Sequence, residues 1–229
     1  SGTPLTHLKF IFAILPELKK LPTVPKQNWI TAYRNLRSLS KALRADEPEF
    51  TNLKRMTRVL ENELNISTHQ SESLLLNALR TAYPSIRRDF TPLTGASDFL
   101  SWAKQHFKLF LATNPAWPKD LVEMRMNWGG INPRLFESIT TFDRMHHCKP
   151  SPHYYLEILK HEGLNADDCI HIGNEIKMDL PATIAGIPVF IVDQALPQIR
   201  LMQTDAEARA QAWTGNWSAL QKLLAKELV

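Results

Sequence analysis

Only two of the 229 residues are cysteine, Cys148 and Cys169, and they form no CxxC pair. A disulfide framework and a zinc ribbon are therefore excluded, and the usage fits a reducing intracellular compartment, cytoplasm or mitochondrial matrix. Glycine is scarce, at eight residues. No apolar run approaches the roughly 20 residues that cross a bilayer, and the N-terminal residues carry no signal-peptide pattern. The longest candidate run, Phe10–Leu15, is of strand length. Neither sign of charge dominates: 27 Lys/Arg against 23 Asp/Glu give +4 and a pI near 9.1. With 44% apolar and 22% charged residues, disordered, collagenous and coiled-coil readings are excluded.

What is present is uneven. Eleven Lys/Arg and seven Asp/Glu lie between Pro22 and Pro92, so the whole net charge sits in that stretch. Its clusters, Arg34/Arg37/Lys41/Arg44 and Lys54/Arg55/Arg58, make an RNA partner one reading and a solvated helix face the other. Ser1–Leu8 read as a polar leader and Lys9–Leu15 as a strand buried on both faces, ended by Pro16. From Trp29 to Tyr83 the apolar period is helical. Trp29, Ile30, Tyr33, Leu36, Leu39 and Leu43 form one stripe, and Phe50, Leu53, Met56, Leu60 and Leu64 a second. A third helix follows Thr68 and ends before Pro84.

Beyond Pro92 strands and helices alternate. Helices are expected at Ala96–Gln105, Lys119–Trp128, Tyr154–Glu162, Asp179–Ala185 and Trp217–Leu228, with strands at Lys108–Ala112, Cys169–Ile172 and Pro188–Val192. Such alternation means βαβ units and a parallel sheet.

Three short elements stand at the ends of expected strands, where open α/β sheets bind ligands. Thr113-Asn114-Pro115 offers a hydroxyl and free backbone N–H groups for a phosphate oxygen. Lys149, before the helix opened by Ser151-Pro152, offers a cation. Gly173-Asn174-Glu175-Ile176-Lys177-Met178-Asp179 puts two carboxylates four residues apart, a hard-oxygen set suited to Mg²⁺. His146-His147-Cys148 does not read as a zinc site, because neighbours on an extended chain point to opposite faces. His171 reads as a core or edge residue.

In this order the elements resemble the haloacid dehalogenase-like (HAD) superfamily of aspartate-nucleophile phosphohydrolases. The second motif matches at Thr113, the third at Lys149, and the fourth at Gly173–Asp179 with Glu175 in place of an aspartate. The resemblance implies a three-layer Rossmann-like parallel sheet over 1–21 and 92–229, with an inserted all-helical cap over 22–91. It implies Thr113, Asn114 and Lys149 as a phosphate-binding remnant and Glu175 and Asp179 as a weak or vestigial metal site. Alternatively, Lys149 pairs with Asp179 or Glu175, because a buried unpaired charge is expensive.

The family's first motif, Asp-x-Asp-Gly-Thr, is missing. Aligned with that strand, Lys9–Phe12 puts Ala13 at the nucleophile and Leu15 at the acid/base position; matching Ser1-Gly2-Thr3 instead leaves no strand in front. Ala forms no phosphoaspartate and Leu moves no proton. The expectation is a catalytically inactive HAD-like protein, a binding or structural subunit of a larger assembly with no cofactor. A Mg²⁺-dependent phosphatase using another carboxylate such as Glu17, or an RNA-associated subunit using the basic cap, are the alternatives.

Overall fold

The computed structural model describes residues 16, 29–44 and 48–226. The strand expected at Lys9–Leu15, with Ala13 and Leu15, lies outside the described residues, as does Glu17. The chain packs as two compact units: 1–92 with 113–133 and 139–146, and 93–112 with 134–138 and 147–229.

The first unit is helical. It contains α1 (Trp29–Arg44), α2 (Asn52–Leu64), α3 (Thr68–Ala82), a 3₁₀ segment over Tyr83–Asp89, and α4 (Lys119–Trp128). No strand interrupts the described residues between Trp29 and Leu79. The second stripe becomes the inner face of α2: Met56, Leu60 and Leu64 are buried with Leu39 of α1 and Leu74, Leu75 and Leu79 of α3. Helix α2 is capped by Thr51, which accepts the Lys54 N–H at 3.4 Å, and it ends at Asn65 in the left-handed region, φ 53°. The third helix is capped one residue earlier than Thr68 suggested. Ser67 accepts the Gln70 N–H while the Gln70 side chain accepts the Ser67 N–H, a reciprocal capping box.

This packing unit is wider than the segment 22–91, and the first-turn amides of α2 show why. The Asn52 N–H donates to the Met145 carbonyl at 2.8 Å and the Leu53 N–H to the Phe142 carbonyl at 2.7 Å. Donors that a helix leaves without partners are thus satisfied by the 142–145 loop, which ties it to the helices.

The second unit is α/β. It holds α5 (Ala96–Ala103), β1 (Phe110–Leu111), α6 (Pro152–Glu162), β3 (His171–Gly173), α7 (Ile176–Asp179), β4 (Val189–Val192), β5 (Arg200–Leu201), β6 (Ala212–Gly215) and α8 (Trp217–Lys226). Between β1 and α6 runs β2 (Ser138–Ile139), which pairs with β1 as a separate two-stranded sheet. The four-stranded sheet has the order β3-β4-β6-β5. Its first two pairings are parallel, with Ile172 opposite Phe190 and Phe190 opposite Trp213. Phe190, Phe99, Ala103, Leu220 and Leu224 are buried together, joining the sheet to α5 and α8.

Two features depart from the sequence reading. Strands β2, β5 and β6 were not expected, and β5 runs antiparallel to β6, so the four-stranded sheet is parallel with an antiparallel edge. The helix expected at Asp179–Ala185 starts earlier and is α-helical only to Asp179; 180–183 continue as 3₁₀. Pro181 has no N–H to give to an i−4 carbonyl, so the α pattern cannot pass it. Among the described residues no helix is long and apolar enough to cross a membrane.

Candidate functional site

The site is built where β3 ends. The strand delivers Gly173, the chain turns through Asn174 and Glu175, and α7 returns the Asp179 side chain to the turn. Both backbone amides there donate to Asp179 Oδ2, Asn174 at 3.0 Å and Glu175 at 2.9 Å. Its other oxygen, Oδ1, accepts from Lys149 Nζ at 2.7 Å and faces His171 Nε2 at 2.9 Å. A carboxylate there as acceptor assigns the proton to Nε2.

The three side chains are 10%, 6% and 9% exposed for Lys149, Asp179 and His171. Low dielectric strengthens such contacts and raises the cost of losing any one. Desolvation works to raise the Asp179 carboxyl, but the His171 hydrogen bond and the Lys149 ammonium outweigh it and hold the group well below the usual carboxylate range. Burial pushes the His171 imidazole down, with Lys149 adding to that and Asp179 opposing. Burial also lowers the Lys149 ammonium, while Asp179 works to keep it charged.

Helix α6 walls the cluster. Ser151 caps it, accepting the His153 N–H at 3.3 Å, and Pro152 supplies the first helical position. The Lys149–Pro150 peptide is cis. Lys149 Nζ lies 5.8 Å and 5.7 Å from the ring centroids of Tyr154 and Tyr155, within cation–π range. The Tyr155 ring meets His171 edge-on at 5.1 Å, and its hydroxyl donates to the Met178 carbonyl at 2.6 Å. Burial and the Asp179 charge push the Tyr155 phenol far up, so it stays a donor.

The structure thus brings together Lys149, Asp179 and the Gly173–Glu175 turn, and adds His171 and Tyr155, which sequence reasoning had not assigned to the site. Glu175 contributes its backbone N–H; its residue is exposed. Thr113 and Asn114 belong to the helical unit. There the Thr113 hydroxyl accepts from the Arg125 guanidinium at 2.6 Å, and its carbonyl accepts from Thr140 at 2.7 Å. Burial pushes the Tyr83 phenol up, with the Arg125 charge opposing. Asn114 is exposed and its carbonyl accepts the Ala116 N–H at 2.8 Å. Removing the Thr113 hydroxyl should therefore act on the fold. Thr113→Val is expected to lose about 1.5–3 kcal/mol, the range for hydrogen bonds to charged groups. Thr113→Ser should retain most of it, as read from urea unfolding midpoints.

Residues 9–186, most of the chain, match the sequence model of the haloacid dehalogenase-like hydrolases. The chain belongs to that family. Its fold is similar to that of a 2-haloacid dehalogenase from Pseudomonas syringae pv. tomato, with TM-score 0.60 and 17% identity over 98% of this chain and 93% of the other. It is also similar to a HAD phosphatase from Thermococcus onnurineus, with TM-score 0.53 and 14% identity over 96% and 90%. At such identities the likeness is one of fold. No curated protein sequence matches. Lys149 and Asp179, expected from the sequence to stand at the third and fourth motifs, are in contact in the structure.

Proposed function

We propose that this HAD-like chain is catalytically inactive and acts as a binding or structural subunit of a larger assembly in a reducing intracellular compartment. The observation that carries the reading is the saturation of Asp179. A carboxylate offers about four lone-pair sites. Here two are taken by Lys149 and His171 and two by the Asn174 and Glu175 amides. A metal would have to displace one of these partners. Ala13 and Leu15 strengthen the reading, since neither carries a group able to attack phosphorus, coordinate a metal or transfer a proton. Magnesium, which the family implies, does not fit this donor set, and no step is assigned to it. The phosphate-binding role of Lys149 meets a related obstacle, because its ammonium already neutralises Asp179.

Melting in the presence of Mg²⁺ tests the metal half of this reading. A site with a dissociation constant of about 10 µM would add about 2.7 kcal/mol at 1 mM metal. The expected result is no shift of the melting curve. A clear upward shift that Asp179→Asn removes would mean that the carboxylate is available to metal and that the site is not vestigial.

A further inference from the structure

Helix α1 contains Arg34, Arg37, Lys41 and Arg44 and not one acidic residue. Steps of three and four put Arg34, Arg37 and Lys41 on one face, and all three are exposed. Next to Lys41 in the chain, Ala42 forms part of the wall of a cavity of about 520 Å³, shared with Phe50 and with Arg58, Val59 and Asn62 of α2. The exposed Arg58 guanidinium lies 4.4 Å from the centroid of the Phe50 ring. Two planar groups, an amide able to donate and accept, and a row of cations thus occur within one helical pair. One carboxylate, Glu49, also lines the cavity and is exposed. Lys54 is not counted with the row, since it pairs with Glu61 at 3.8 Å.

The chemistry of the face separates partners. A lipid surface is bound by apolar side chains beside the cations. Among the side chains the structure describes, the large exposed apolar ones, Leu93, Leu156, Ile176, Ile199 and Leu201, all lie outside α2 and outside 37–43 of α1. Guanidinium and aromatic planes beside a cationic row are instead what a single strand uses: phosphates on the charges, a base against a flat group. We infer that this face of α1 and α2 binds single-stranded RNA, with backbone phosphates on Arg34, Arg37 and Lys41 and a base at the Phe50–Arg58 cavity. The inference rests on the chain being a binding subunit and names the class of its partner.

The test is fluorescence anisotropy of the full chain with a labelled 12-nucleotide oligouridine. Binding is expected at 50 mM salt and should weaken about 20-fold at 200 mM, as three single-strand phosphate contacts dictate. The variant Arg34→Glu/Arg37→Glu/Lys41→Glu should lose binding with its melting temperature kept, because all three side chains are exposed. Lys222→Glu, an exposed reversal on α8, should bind as wild type does. Arg58→Lys keeps the charge and removes the plane, and should weaken binding about fivefold or more. No anisotropy change at 50 mM salt would overturn the inference. Equal affinity in the triple variant would do the same, as would capture by phosphatidylserine vesicles with no response to oligouridine. None of these outcomes bears on catalytic silence, which hydrolysis assays read separately.

Discussion

Asp179→Ala is expected to destabilise the protein by about 3–5 kcal/mol, because it strands Lys149 and His171 in a buried site and frees the Asn174 and Glu175 amides. For a chain of this size each kcal/mol lowers the melting temperature by about 2–4 °C. An enzyme's metal ligand, whose charge is a liability without metal, would give the opposite result. A companion variant separates the pair from its surroundings. Lys149→Met alone leaves Asp179 with His171 and the amides, so the double variant Lys149→Met/Asp179→Ala should cost less than the two single losses combined. Equal and additive losses would show that the two groups do not interact.

The same cluster sets an acid dependence with a definite sign. His171 has a folded pKa below its ordinary value, so the unfolded chain binds more protons as pH falls below about 6.5. Stability is lost from there downward. Asp179 is also depressed, so its contribution is fully present above about pH 3.9 and disappears as pH falls through its folded value. Unfolding midpoints measured from pH 8 to 3 should fall throughout the acid range, and Asp179→Ala should lack the lower step.

Gly173→Ala is expected to be the other severe lesion. A Cβ built on Gly173 stands 2.6 Å from the Asp179 Cβ and closer still to its Cγ and Oδ2. The carboxylate therefore packs against the strand end through space that only glycine leaves open. Overpacking of this kind costs about 1–3 kcal/mol by itself. Displacing the carboxylate would add part of the Asp179→Ala loss, so the two variants should be strongly non-additive when combined. A Gly173→Ala protein with the wild-type urea midpoint would mean that Asp179 is not held where the geometry has it.

How much of this was legible in the sequence depended on whether the signal was local. Helix α4 was readable because Gly129-Gly130 stops it, and α6 because Ser151-Pro152 announces it. Strands β5 and β6 were not. Ala212-Trp213-Thr214-Gly215 is too short to show alternation, and β5 has two residues whose pairing comes from β6 rather than from their own pattern. At the site, Lys149 and Asp179 were visible as motif positions, and the cost of burying a lone charge pointed to a partner for Lys149 but left Asp179 and Glu175 both open. His171 was visible only as a strand residue. Its role arises because α7 brings Asp179 back past Gly173 onto the same strand end, which no spacing reveals. Arg125 was hidden for a similar reason: it reaches Thr113 from a helix twelve residues on, and only the folded helical unit joins them.

The central claim is that the family's chemistry is absent, and hydrolysis of an aryl phosphate by the wild-type chain in millimolar Mg²⁺ tests it most directly. In the proposed reading the nucleophile, the acid/base and a usable metal site are all absent, and the acid/base alone is worth about 10²–10⁴-fold. The predicted result is a rate no different from buffer, unchanged by Asp179→Ala beyond that variant's loss of stability. Turnover that persists through repurification, requires Mg²⁺ and vanishes in a folded Asp179→Ala protein would contradict the account.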